Sequence, residues 1–221
     1  EAPAKAIGIA SVAPGAGFDR IARELGADVT IPVPAGANPS VRDLLVGVNA
    51  SLAQTVYLLP NDPNVALAAR EVAALSAKQV VVVPSADPVA GLAALLRLGG
   101  AEEPLADGVL ARALDEVRSA SVFLAGKDAS VDGVAVRKSA PAASIGKRLL
   151  SAATIEDVMI SALEVLGAAE GGLVTLYYGG AQKERDAQKY AAVVGERFAD
   201  VDVEYYYGGQ PSVEYWISLE R

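Results

Sequence analysis

An alternation that fills the first hundred residues restricts the fold more than any other feature: a short apolar run, a turn, about ten residues of helical pattern, then the next apolar run. The pattern predicts strands at 6–13, 29–33, 55–59 and 79–83 and helices at 17–25, 41–49, 65–75 and 87–98. The fourth run, "QVVVV", has no polar residue after its first position. A strand that is apolar on both sides has to be covered on both sides, so the expected class is α/β, a parallel sheet with helices on both faces. Right-handed crossovers then bring the four strand-to-helix loops to one edge of that sheet.

The period changes in the second half. A helix is predicted over 105–120, with apolar residues at 105, 109, 110, 113, 114 and 117. After it, "SVFLAG" at 121–126 and "GVAVRK" at 133–138 follow period two and flank Asp132-Gly133, a hairpin signal. A looser stretch to residue 150 leads to a helix over 154–166, a strand over 173–178 and a charged helix over 183–198. Two aromatic strands, "VDVEYYY" and "VEYWISLE", are expected to meet at Gly208-Gly209-Gln210-Pro211. The organisation read from this is a parallel α/β unit at 1–120 followed by a smaller mixed α/β unit at 121–221.

The chain has 221 residues, enough to bury a core without staples. A net charge of −8 leaves no cationic excess to displace counterions, which sets aside nucleic acid and anionic membrane surfaces as main partners. With neither Cys nor His, the sequence excludes disulfides, thiol nucleophiles, Ser-His triads and the common zinc sites. No apolar run approaches the ~20 residues a membrane helix needs. Absent cysteine agrees with a reducing cytosol, and the expected location is cytoplasmic. Because the chain starts at Glu1 and has a single Met, Met159, it reads as a piece of a longer protein.

The chemistry left is hydroxyls, amides and carboxylates. Gly15 and Gly17 follow the first strand like the start of a dinucleotide motif, but Arg20 occupies the third glycine position. On the same edge lie Asn38 and Ser40, then Asn61, then Ser85 with Asp87. Each reads as a cap: Ser40 with Asp43 has capping-box spacing, and Asp87 precedes Pro88. Together they would also rim a crevice suited to binding rather than turnover. Asp115, Glu116, Asp128 and Asp132 match no cation loop and read as solvated charges. In the second half Tyr178, Tyr206 and Trp216, with Gly209 and Gln210 of the turn, form either a contact surface or a small core.

The order "NPSVRDLL", "VYLLPND", "VVVVPS", "GLAALL", "DGVAVRK", "TLYYGG" and "GGQPSVEYWISLE" resembles the C-terminal domain of the large subunit of bacterial fatty acid kinases, which are related to dihydroxyacetone kinase. The resemblance covers essentially the whole chain. It implies a fold shared with DegV-like fatty-acid-binding proteins, an ATP and magnesium site in a separate N-terminal domain, and a role in docking the small lipid-carrying subunit whose acyl group is phosphorylated. Carry-over is safest at Asn38, Pro39, Ser40, Pro60, Asn61 and Gly208-Gly209-Gln210-Pro211. Many relatives place Gly-Gly-Gln-Thr-Met before Asn-Pro-Ser; here the chain has Val33-Pro34-Ala35-Gly36-Ala37, without that glutamine and threonine. The related dihydroxyacetone-binding subunit holds its substrate covalently through a histidine, which this chain lacks.

The expectation is therefore a non-catalytic domain with no cofactor, whose partner is the lipid-carrying subunit. The alternative is an autonomous binding protein or enzyme that holds a fatty acyl or other small ligand in the crevice. A deep apolar tunnel beside Ser85 and Asn61 would favour that alternative.

Overall fold

The computed structural model describes residues 5–106, 108–131 and 133–221, which divide between residues 116 and 117 into two compact units. In the first unit the strands are β1 (Ile7–Ala13), β2 (Val29–Pro32), β3 (Thr55–Leu59) and β4 (Gln79–Val82). They pair in the order β2-β1-β3-β4, all parallel. Between them run α1 (Ala16–Glu24), α2 (Val41–Ala50) and α3 (Ala66–Leu75), and α4 (Pro88–Leu98) follows β4.

All seven residues of β1 are buried, as a central parallel strand requires. Successive side chains point to opposite faces. Ala10 and Val12 join Leu44 and Val48 of α2 and Ala69 and Val72 of α3 in one apolar cluster. Helices α1 and α4 pack on each other and on β1. Helix α4 starts cleanly because Asp87 accepts a hydrogen bond from the Ala90 amide (2.8 Å) and Pro88 needs no amide partner in the first turn.

Residues 105–120, expected as one helix, divide: α5 (Val109–Glu116) ends and β5 (Val117–Leu124) begins at once. Helical periodicity extends into "VRSA", but residues 117–122 pair in continuous register with a later strand, and that pairing overrides local propensity. Helix α5 packs on α4, where Arg97 meets Glu116 at 3.0 Å.

The second unit is a six-stranded sheet in the order β11-β10-β12-β5-β8-β9, with a separate ribbon of β6 (Ala129–Val131) and β7 (Val134–Val136). The two period-two runs do not pair with each other: β6 and β7 close their own hairpin, with Gly133 at φ +82°, and β5 pairs instead with β8 (Pro141–Ile145) and β12 (Tyr215–Glu220). The stretch read as loose contains the hairpin of β8 and β9 (Arg148–Ser151), turned at Gly146 with φ +55°. Nor do the two aromatic strands lie side by side. Strand β10 (Gly172–Tyr178) separates β11 (Val201–Tyr207) from β12, parallel to the first and antiparallel to the second. Helices α6 (Ile155–Leu166) and α7 (Glu184–Arg197) pack against the sheet through Val158, Leu163, Ala187 and Val194, against Leu176, Tyr215 and Ile217. No helix among the described residues is long and apolar enough to cross a membrane.

Candidate functional site

In a sheet of order β2-β1-β3-β4 the connections leave β1 and β3 in opposite directions, and such a switch point is where open α/β sheets hold ligands. Here Asn61, just past β3, occupies it. Its side-chain amide donates to the Val12 carbonyl (2.7 Å) and Ser11 Oγ (3.1 Å) of β1. Ser85 Oγ donates to Asn61 Oδ1 (2.7 Å) and accepts from the Asn61 backbone amide (3.1 Å). All three side chains are buried, with Asn61 8%, Ser85 2% and Ser11 1% exposed. Asn61 sits in the left-handed region at φ +55°, a conformation asparagine tolerates better than most residues. Gly91 of α4 makes room for it: a Cβ there would fall 2.1 Å from Asn61 Oδ1.

Asn61 and Ser85 are thus brought together, as a knot that ties β1, β3 and the loop after β4. Ser11 and Gly91 complete it and were missed from the sequence. Their signals were a hydroxyl within an apolar strand and a glycine within an apolar helix. Asn38 and Ser40 are exposed and make no hydrogen bond to the knot. Ser40 caps α2 in a full capping box: Asp43 N donates to Ser40 Oγ (3.2 Å), and Ser40 N donates to the Asp43 carboxylate (2.9 Å). The hydrogen bonds from Ser40 hold the Asp43 carboxyl below its usual range.

A cavity of about 310 Å³ opens at this edge, lined by Ala13, Pro14, Gly15, Asp19 and Val33, but by neither Asn61 nor Ser85. Asp19 would meet any anion placed over the start of α1. Burial pushes its carboxyl up, but hydrogen bonds from Thr30 and Arg23 outweigh this and leave it lowered, hence ionised at neutral pH. A second cavity, about 500 Å³ and largely apolar, runs between β2 and α2 past Ile31, Val46 and Gly47.

In the second unit the 208–211 turn folds onto the end of β10. Gly208 and Gly209 both donate to the Tyr178 carbonyl (2.9 and 3.2 Å), and Gln210 Nε2 donates to that of Tyr177 (2.9 Å). Gln210 is 2% exposed, and its Oε1 has no hydrogen-bond partner among the described residues. Gly209 needs its φ of +70°, and a Cβ would touch the Tyr207 ring at 2.9 Å. Tyr207 packs on Tyr178, and Tyr206 on Tyr177, with ring centroids 5.3 and 6.2 Å apart. Trp216, opposite Tyr177, is half-buried, while Tyr206 is 44% exposed. The hydrogen bond to Glu204, foremost, raises the Tyr206 hydroxyl pKa, and burial, foremost, raises that of Tyr177. Tyr207 is exposed, whereas Tyr215 is buried and its hydroxyl reaches Gln182 at 3.4 Å.

Among the described residues no three carboxylates stand together as a metal cage: Glu116 pairs with Arg97, Asp128 accepts from the Lys138 amide, and Asp132 lies outside the described residues. The arrangement offers rings, amides and rigid turns, the means of binding.

These features define a two-unit α/β protein. By fold the chain is similar to DegV, a fatty acid binding protein from Bacillus subtilis (TM-score 0.64, 12% identity, 98% of this chain and 100% of that one), and to the fatty acid kinase B3 protein of Streptococcus pneumoniae, solved with linoleic acid (0.56, 12%, 97% and 99%). The particular family follows from sequence. Residues 8–220 match the model of the fatty acid kinase FakA-like C-terminal family, and the chain belongs to that family. It is 30% identical to protein YloV of Bacillus subtilis over 217 residues and 27% identical to an uncharacterized Staphylococcus aureus protein over 218. Each match covers 96% of this chain but 39% of the relative's length.

Proposed function

We propose that this chain is the docking domain of a fatty acid kinase-type protein, non-catalytic by itself, receiving a small lipid-carrying protein whose acyl group is phosphorylated elsewhere in the assembly. The observation that carries this reading is that the fold of a fatty-acid-binding protein is kept while the switch-point crevice is filled by the chain's own Asn61, Ser85 and Ser11. A ligand in that crevice would have to displace three buried hydrogen bonds among these side chains and the Val12 carbonyl, and Gly91 leaves room for the Asn61 amide and little else. The binding capacity then lies on the surface: Tyr206 and half-buried Trp216 share one face of the sheet beside the turn at Gly209, while Tyr178 packs on the core from the opposite face and buried Gln210 holds the turn in place. Aromatic rings with polar tips are favoured in interface cores. The domain is cytoplasmic in this reading and needs no cofactor.

The alternative, autonomous binding of a fatty acyl or other small ligand, draws on the apolar cavity between β2 and α2. Native mass spectrometry of the purified chain separates the two. Docking predicts a protein of bare mass that forms a complex when a DegV-type protein is added; copurified lipid without complex formation overturns it.

A further inference from the structure

Strand β11 differs from the other sheet edges. Edge strands leave the N–H and C=O groups of alternate residues facing outward, and proteins usually blunt them by shortness, proline, lysine or a bulge. Strand β2 has four residues and ends in Pro32, β9 has four and begins with Arg148, and β4 has four. Strand β11 has seven, "VDVEYYY", with no proline and no cation. Its register against β10 is unbroken from Gly172 opposite Val201 to Tyr178 opposite Tyr207, and its outer side pairs with no strand among the described residues.

The charge on this edge is uncompensated. Asp202, Glu204 and Tyr206 share one face and are exposed. Glu204 accepts a hydrogen bond from the Tyr206 hydroxyl at 2.9 Å, and neither Asp202 nor Glu204 has an ion pair among the described residues. Two strands in, Glu220 lies in the same row as Asp202, with Leu173 between them, and its carboxyl is raised by burial and then by Glu204. The field on this face is therefore negative from edge to interior.

That charge weighs against most registers with a second copy. A second copy in antiparallel register centred on Glu204 sets Glu204 against itself, and centred on Val203 it sets Asp202 against Glu204 twice. A parallel in-register copy stacks every acid on its like. Directly opposed like charges oppose pairing, whereas Lys or Arg opposite an acid supports it. An arginine there can also lay its guanidinium over the Tyr206 ring.

We propose that the outer edge of β11 accepts an extended strand from a partner protein, and that this strand carries Lys or Arg opposite Asp202 and Glu204. The inference rests on the docking reading above and names where the partner attaches and its chemistry. The probes are two dye-labelled seven-residue peptides, one alternating valine with arginine and the other valine with glutamate, added to the full 221-residue chain. The arginine peptide is expected to bind and to slow amide hydrogen exchange within Val201–Tyr207, and the glutamate peptide to do neither. Combining Asp202→Lys with Glu204→Lys should weaken the arginine peptide about tenfold and invert the preference, at unchanged melting temperature because both side chains are exposed. Binding that ignores the reversal, or that leaves the β11 amides unprotected, overturns the proposal. A DegV-type protein that binds the wild-type and reversed chains equally overturns the β11 assignment alone; one that does not bind the wild-type chain overturns the docking reading, and the peptide result then judges the edge.

Discussion

Replacing Asn61 with Ala tests whether the knot at the switch point is internal scaffolding. The side chain makes three hydrogen bonds, to Ser11 Oγ, the Val12 carbonyl and Ser85 Oγ, in a buried site. Each contributes about 1 kcal/mol net, and more where the abandoned partner is left buried without another. Alanine must also hold φ at +55°, which costs about 1 kcal/mol over asparagine. The expected loss is about 4 kcal/mol. Asn61→Gly, which removes the same bonds but accepts the backbone, should lose about 1 kcal/mol less. Scanning calorimetry reads this as a fall of roughly 16 °C in the transition of the first unit, at about 4 °C per kcal/mol for a unit of this size, with the second unit's transition unmoved if the two melt separately. An Asn61→Ala protein that melts with the wild type refutes the reasoning and returns Asn61 to the role of an available ligand contact.

Other outcomes follow from the same contacts. Ser40→Ala removes the cap of α2 and should lower stability by about 1 kcal/mol in urea denaturation, leaving partner affinity unchanged. The folded-state pKa of Asp43 is depressed, so its contribution is present above the unfolded carboxylate value, near pH 4, and is lost as pH falls through the lower folded value; Asp43→Asn should therefore flatten the acid limb of a stability-against-pH curve. Gly91→Ala sets a methyl against the Asn61 amide and should cost about 1–3 kcal/mol, measured by the same denaturation. Tyr206→Ala should leave the melting temperature in place while weakening partner binding about thirtyfold or more, as removing a 2 kcal/mol anchor does.

The parallel unit was legible because its signals are local. Apolar runs, glycine and proline punctuation and the Ser40–Asp43 box each lie within a few residues, and the elements through α4 appear within about two residues of their expected ends. The second unit was harder because its order is set by distant pairing. The end of the expected 105–120 helix becomes β5 only because β12, a hundred residues on, pairs with it, and β10 slips between two strands that look like neighbours in sequence. The site divides the same way. Asn61 and Ser85 stood out as polar residues after strands, but their being hydrogen-bonded to each other and to Ser11 depends on the sheet order, which no spacing encodes. Tyr205, Tyr206 and Tyr207 alternate faces as period two requires: Tyr205 packs on the core, and Tyr206 is exposed.

Calorimetric titration of the chain with a fatty-acid-loaded DegV-type protein tests the docking role most directly. A saturable one-to-one complex, lost on Tyr206→Ala while Asn61 stays intact, is the predicted result. No heat of association with that protein, together with direct binding of free fatty acid by the chain alone, would contradict it.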